Sequence, residues 1–299
     1  MAEQVLTHGV VVGVDGSSCS QAAVRWAAQE AAMRRVPLTA VYAVPPVPTA
    51  ISPLVSPGGR IPDEILAAQE AEARRILSDA VKLAEEATAG ADRPEINSEM
   101  HLGRAVPTLV DLSKTAKMVV VGSRGRSGRH RRLLGSVTTA LIHHAHCPVA
   151  VTRDEIPAEQ RAQAPVLVGI DGSKASRLAT EIAFDEAAWR GVDLVALHVW
   201  SDADMSSVFG VDAAAVETAA DKTLAEALAG WQERYPEVTV HRSIEFEDPT
   251  RHLLEKSEDA QLVVVGSHGR GGFAGMLLGS VSSAVAQAAR VPVIVARQR

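Results

Sequence analysis

The chain has 299 residues, a length that suggests about two domains. Its hydrophobic content of 46% is ordinary for a globular protein, and its net charge of −6 argues against nucleic acid as the main partner. Only two cysteines are present, which excludes a disulfide scaffold, and no stretch approaches the roughly 18 apolar residues of a membrane span. We therefore expect a cytoplasmic protein that contacts neither membrane nor nucleic acid.

The predicted elements of the first half alternate between strands and helices. In chain order they are a strand at 10–15, a helix at 17–35, a strand at 38–44, a helix at 63–89, a strand at 96–102, a helix at 107–116, a strand at 118–122, a helix at 136–146 and a strand at 148–152. Apolar strands that alternate with helices predict an α/β fold, a doubly wound five-stranded parallel sheet with helices on both faces. If the first and fourth strands are neighbours, the sheet order is 3-2-1-4-5.

An internal repeat gives the second half the same elements. VVVGVDGSS at 10–18 matches VLVGIDGSK 156 positions later, and AKMVVVGSRGR at 116–126 matches AQLVVVGSHGR 144 positions later. This duplication predicts two tandem domains, 1–153 and 165–299, joined by a polar linker at 154–164. The smaller second offset places twelve extra residues in the first copy, in the Pro- and Gly-rich segment 45–62, which is either a lid or a tolerated surface insertion.

Each copy carries a glycine loop after its fourth strand. GSRGRSGRHRRLLGS at 122–136 and GSHGRGGFAGMLLGS at 266–280 share the spacing G-x2-G-x9-G-S. Glycine permits close backbone approach, and a Gly-Ser pair that opens a helix offers free N–H groups to a phosphate. A tight strand-to-helix connection would explain a single such loop. Two loops with the same spacing, each paired with an Asp-bearing loop after the first strand, favour nucleotide binding at the carboxyl ends of the strands.

These residues resemble the ATP-binding class of the universal stress protein family, and the tandem order resembles its actinobacterial two-domain members. The resemblance implies that Asp15 and Asp171 lie against adenine and ribose, that Ala43 and Val199 line the adenine pocket, and that the glycine loops hold ribose and phosphates. The candidate nucleotide-binding residues are Gly13, Val14, Asp15, Ala43, Gly122, Arg124, Gly125, Gly135, Ser136 and Val137 in the first copy, and Gly169, Ile170, Asp171, Val199, Gly266, His268, Gly269, Gly279, Ser280 and Val281 in the second.

Three features differ between the copies. The second copy has Glu247 where the first has Gly103, which puts the shape of the second pocket in question. Arginines crowd the first loop between 124 and 132, either to contact phosphate or as a solvated surface. A run of histidines, HHAH at 143–146, has no counterpart, and placement against the dipole of a helix end explains it better than a metal site.

The sequence thus predicts a stress-response sensor or regulator that binds one ATP, with Mg²⁺, in each domain. The alternatives are a slow ATP-hydrolysing or self-phosphorylating enzyme and an interaction protein whose sites are relics. The apolar final strands at 148–152 and 292–296 are expected at sheet edges, which invite pairing. We therefore also predict a homodimer, and leave open an unidentified regulatory protein partner.

Overall fold

The structure is a computed structural model that describes residues 8–47, 62–90, 92–126, 133–154, 161–200, 213–270 and 278–297. Its strands are β1 Val10–Gly13, β2 Leu38–Val44, β3 Ile96–Leu102, β4 Met118–Gly122, β5 Val149–Thr152, β6 Val166–Gly169, β7 Leu194–Trp200, β8 Val240–Phe246, β9 Leu262–Gly266 and β10 Val293–Ala296. Its helices are α1 Ser18–Arg34, α2 Asp63–Ala87, α3 Ala105–Leu112, α4 Ser136–His144, α5 Lys174–Arg190, α6 Ala213–Leu228, α7 Trp231–Arg234, α8 Pro249–Ser257 and α9 Ser280–Ala288.

The described residues divide into two compact units. The first holds the described residues up to 126 together with Gly135–Leu141, and the second holds residues 133–134 and those from 142 onward. The domain bounds given above stay a prediction. Most of the 45–62 insertion and of the 154–164 linker lies outside the described residues, as do four of the crowded loop residues, which are Arg129, His130, Arg131 and Arg132.

In the first unit the strand order is β3-β2-β1-β4. All neighbours are parallel, with Val10 opposite Leu38 of β2 and Met118 of β4. The strands form because β-branched valines dominate them and pack on both faces of the sheet, and Val10, Val11 and Val12 are fully buried. Each such side chain contributes about 1.5–3 kcal/mol relative to an exposed position.

In the second unit the order β8-β7-β6-β9-β10 matches the predicted 3-2-1-4-5. The doubly wound α/β fold is therefore confirmed, and so is the contact between first and fourth strands on which the site prediction depends. The expectation that the final strands lie at edges is wrong for β10. It pairs parallel with β9 and antiparallel with β5, with Val293 opposite Val151. The prediction of a homodimer is therefore no longer supported by an exposed sheet edge at β10, and it stays a prediction.

The helix that follows the first strand begins in the same way in both copies. Ser17 caps α1 by accepting the N–H of Ser20 at 3.2 Å, and Ser173 caps α5 by accepting that of Ser176 at 3.1 Å. Both helices then end on a residue in the left-handed region, Arg35 at φ 53° and Gly191 at φ 63°. These caps fix where each first-strand loop enters its helix, and that loop carries the candidate aspartate.

Candidate nucleotide-binding site

Asp15 joins the two predicted loops of the first unit. Its Oδ1 accepts the N–H of Ser17 at 3.0 Å, which closes a turn through Gly16 at φ 81°. Its Oδ2 accepts the N–H of Arg126 at 2.9 Å, 111 residues further along the chain. One carboxylate therefore holds the loop after β1 against the glycine loop after β4, at the edge of the sheet where their carboxyl ends meet.

Asp171 makes the same two contacts in the second unit. Its Oδ1 accepts the N–H of Ser173 at 2.9 Å and its Oδ2 accepts that of Arg270 at 3.1 Å. The Ser173 hydroxyl adds a third link by donating to the carbonyl of His268 at 3.2 Å. Because both copies repeat the pattern, the aspartate clasp is a built feature of this fold and not an accident of one loop.

The three motif glycines of the first copy serve different purposes. A Cβ on Gly122 would lie 2.7 Å from the backbone carbonyl of Cys19, so this glycine lets α1 pack directly on β4. A Cβ on Gly125 would lie 2.5 Å from Oδ2 of Asp15. Around Gly135 the nearest atoms are 3.5 Å away, an ordinary contact. Glycine is therefore required at 122 because α1 packs there on β4, and at 125 because the Asp15 carboxylate lies there. That these glycines contact a nucleotide stays a prediction.

The last glycine of each motif lies directly before a helix whose first residue is an exposed serine. Gly279 is the N-cap of α9 and makes no side-chain capping bond, and Ser280 beside it is exposed. The chain turns here because the N–H of Gly279 donates to the carbonyl of Ser267 at 2.7 Å. In the first copy the N–H of Gly135 donates to the carbonyl of Ser123 at 2.8 Å. We call α4 and α9 the phosphate helices, since their N-termini suit an anion.

One hydroxyl group in each copy, which the sequence analysis missed, joins the phosphate helix to the fourth strand of that copy. Thr138 donates to the carbonyl of Gly122 at 2.8 Å, and Ser282 donates to that of Gly266 at 2.5 Å. Both hydroxyl-bearing residues are buried. They occupy matching positions in the repeat, and that match between the copies is the signal that would have found them.

The remaining predicted residues lie around the same strand ends. Backbone hydrogen bonds there connect the loop after the first strand to the second strand in each copy. The N–H of Val14 donates to the carbonyl of Val41 at 2.9 Å, and the N–H of Ile170 donates to the carbonyl of Leu197 at 2.8 Å. Gly13 and Gly169 end β1 and β6, Ala43 and Val199 are partly exposed near the ends of β2 and β7, and Val137 and Val281 lie in the first turns of the phosphate helices. Arg124 and His268 lie partly buried within the two glycine loops.

The loop arginine that both copies share differs in its surroundings. The Arg126 guanidinium lies 3.6 Å from a carboxylate oxygen of Glu72 on α2. Hydrogen bonds from Arg75, with a smaller contribution from Arg126, hold the pKa of Glu72 below its ordinary value. Arg270 instead lies against the backbone of Gly172. The repeat places a valine, residue 216, at the sequence position that matches Glu72.

The histidine run lies where the dipole argument places it. His143 and His144 are in the last turn of α4, next to the negative end of the helix. Within the described parts of the chain, no three His, Cys, Asp or Glu side chains are grouped so as to hold a metal ion. A cavity of about 310 Å³ lies between α1 and α2, and its lining includes Val14 and Gly16, the two neighbours of Asp15.

Two segments, residues 7–153 and 164–297, match the universal stress protein family. The chain belongs to the universal stress protein family. It is 53% identical to a universal stress protein of Mycobacterium tuberculosis over 97% of this chain and 96% of the relative, and 48% identical to one of Mycolicibacterium smegmatis over the full length of both. The family identification made from the glycine loops is therefore confirmed.

A solved structure supports the fold of this universal stress protein. The crystal structure of a universal stress protein from Archaeoglobus fulgidus is similar with a TM-score of 0.69, at 22% identity, over 99% of this chain and 98% of that one. At that identity the likeness concerns the fold alone. In the described segments, no helix has the length and apolar character needed to cross a membrane.

Proposed function

We propose that this universal stress protein binds one ATP in each copy, at the clasp of the two strand-end loops, and acts as a sensor or regulator. The observation that carries the proposal is the duplicated clasp. In each copy an aspartate accepts N–H groups from both loops, beside the N-terminus of a phosphate helix. In both copies this arrangement lies at the carboxyl ends of the adjacent first and fourth strands, where sheets of this kind bind their ligands.

The residues present fit a nucleoside triphosphate. The uncapped first turn of α9 leaves N–H donors and a positive dipole end for phosphate oxygens, and the exposed Ser280 hydroxyl adds a donor. The corresponding turn of α4 begins at Ser136, which is also exposed. Asp15 and Asp171, near the strand ends, would face the nucleoside. Adenine would lie against Ala43 in one copy and the larger Val199 in the other.

Magnesium would arrive with the phosphates. Each clasp supplies one carboxylate, whose two oxygens already accept backbone N–H groups, so the protein offers no cage of its own. Mg²⁺ commonly keeps most of its waters and is held by one or two carboxylates together with substrate phosphates. The chemistry of this donor set suits a phosphate-bound Mg²⁺, which would neutralise part of the triphosphate charge.

Sensing is favoured over turnover because the described loops do not place a lysine where it would stabilise a transferring phosphoryl group. The alternative is slow hydrolysis or self-phosphorylation at the same site. Sustained phosphate release over many turnovers would favour that alternative. Binding followed by no release of phosphate would favour the sensor.

The test is calorimetric titration of nucleotide-stripped protein with ATP and magnesium. We expect two sites per chain. Gly125→Val should silence the first and Gly269→Val the second, because each new side chain displaces the clasp carboxylate, and the double variant should bind none. Each single variant is the matched control for the other. Absence of binding by the stripped wild-type protein would overturn the proposal.

A further inference from the structure

Arg153 and Arg297 occupy matching positions in the repeat, each directly after the last strand of its copy. Arg153 donates from Nη2 to the carbonyl of Ala286 at 2.9 Å and to that of Gln287 at 2.5 Å, both in the last turn of α9. Each copy therefore contacts the phosphate helix of the other, because Arg297 reaches the end of α4 in the same way.

Arg297 donates from Nε to the carbonyl of Ala145 at 2.9 Å and from Nη1 to that of Ile142. All these contacts lie within the second compact unit, where β5 and β10 pair antiparallel and bring the two arginines into place. Arg297 is partly buried, and this burial lowers the pKa of its guanidinium below the ordinary value. The helix carbonyls therefore replace part of its hydration.

Holding the C-terminal end of a short helix also restricts the position of its N-terminal end. The carbonyls of a last turn lack partners within the helix, and a cation there is favoured by the dipole. α9 has nine residues, so at 1.5 Å per residue the whole helix is only about 13 Å long. A rotation of the C-terminal end carries the N–H groups at Ser280 with it, because so short a helix moves as a rigid body.

We infer that Arg153 is a positioning residue for the second nucleotide site and Arg297 for the first, so that each site depends on a side chain of the other copy. The nucleotide part of this inference rests on the function proposed above. The positioning part concerns the order of the phosphate helices and holds for the protein without nucleotide. The two parts can therefore fail separately.

The first test is amide hydrogen exchange on the full-length, nucleotide-free protein. Arg153→Met should speed exchange of the first hydrogen-bonded amide of α9, the Ser283 N–H that donates to the carbonyl of Gly279, about fivefold to tenfold, and leave the matching Thr139 amide of α4 unchanged. Arg297→Met should do the reverse. Arg153→Lys keeps the cation but loses the fork of donors, and should give a smaller change in the same helix, even if the methionine variant fails to fold. Faster exchange confined to the last turn, or equal in both helices, overturns the inference.

The second test is ATP titration with one site silenced. In the Gly125→Val background only the second site remains, and there Arg153→Met should weaken binding about threefold to tenfold while Arg297→Met leaves it unchanged. In the Gly269→Val background the roles exchange. Equal weakening by both arginine variants would show a merely structural effect and overturn the inference. If the stripped wild-type protein binds no ATP, the proposed function fails, and the exchange measurement still decides the positioning.

Discussion

The motif glycines of the first copy should respond very differently to alanine. In Gly122→Ala the new Cβ would lie 2.7 Å from the carbonyl carbon and oxygen of Cys19 and 2.8 Å from its Cβ. These are buried backbone and near-backbone atoms that cannot rotate away, so α1 must shift off β4. Overpacking of this kind costs about 2–3 kcal/mol. For a domain of this size that lowers Tm by roughly 5–10 °C.

Gly125→Ala meets a movable group instead. Its Cβ would lie 2.5 Å from Oδ2 of Asp15, which can rotate only by giving up the N–H of Arg126. We expect a stability loss of about 1 kcal/mol, since Gly125 and Arg126 are exposed and water replaces part of that bond. Gly135→Ala meets nothing closer than 3.5 Å and should change stability by less than about 0.5 kcal/mol.

Scanning calorimetry of the three variants measures this order, and ATP titration separates stability from binding. Gly122→Ala should melt lowest, whereas Gly125→Ala should lose nucleotide binding at the first site with only a small change in Tm. The second copy provides a repeat, with the corresponding closest distances 2.8 Å at Gly266, 2.6 Å at Gly269 and 3.5 Å at Gly279. If Gly122→Ala melts at the same temperature as the wild type, or if Gly125→Ala melts at a lower temperature than Gly122→Ala, the assigned roles are wrong.

Three further predictions concern strain and titration. Glu247 has φ 86° where the first copy has glycine, so Glu247→Gly should raise stability by about 1 kcal/mol, and an unchanged urea midpoint would contradict this. Burial, with the charges of neighbouring His144 and Arg297, lowers the pKa of His143, so the unfolded chain takes up its proton first and stability falls as pH drops below about 6.5. His143→Gln should flatten that acid-side fall in Tm, and an unaltered profile would refute the assignment. Burial, then the hydrogen bond to Asp185, raises the pKa of Tyr235 to about 12, so stability is lost as pH rises from about 10 through 12. Ultraviolet titration of the Tyr42→Phe variant should show that midpoint, and an ordinary midpoint near 10 would be inconsistent with a partly buried hydroxyl bonded to Asp185.

The sequence by itself determined the architecture and the place of the candidate site. Runs such as the buried valines of β1 and β4 are long enough to be predicted as strands, and the repeat supplied every strand and every helix except the short α7 twice. Parallel strands put their carboxyl ends at one edge of the sheet, so the adjacency of the Asp15 loop and the loop at Gly125 followed once β1 and β4 were taken as neighbours. Spacing alone therefore located the candidate site.

Only the tertiary structure decided what each residue there does. The Cβ directions of Gly122 and Gly125 depend on segments about a hundred positions away, which no local pattern encodes. The same holds for the Arg126 N–H on Asp15 and for Arg153 at the end of α9, 133 residues distant. Periodicity and spacing report on neighbours along the chain, whereas the direction of a side chain across a sheet is settled only when distant strands pair and helices pack on them.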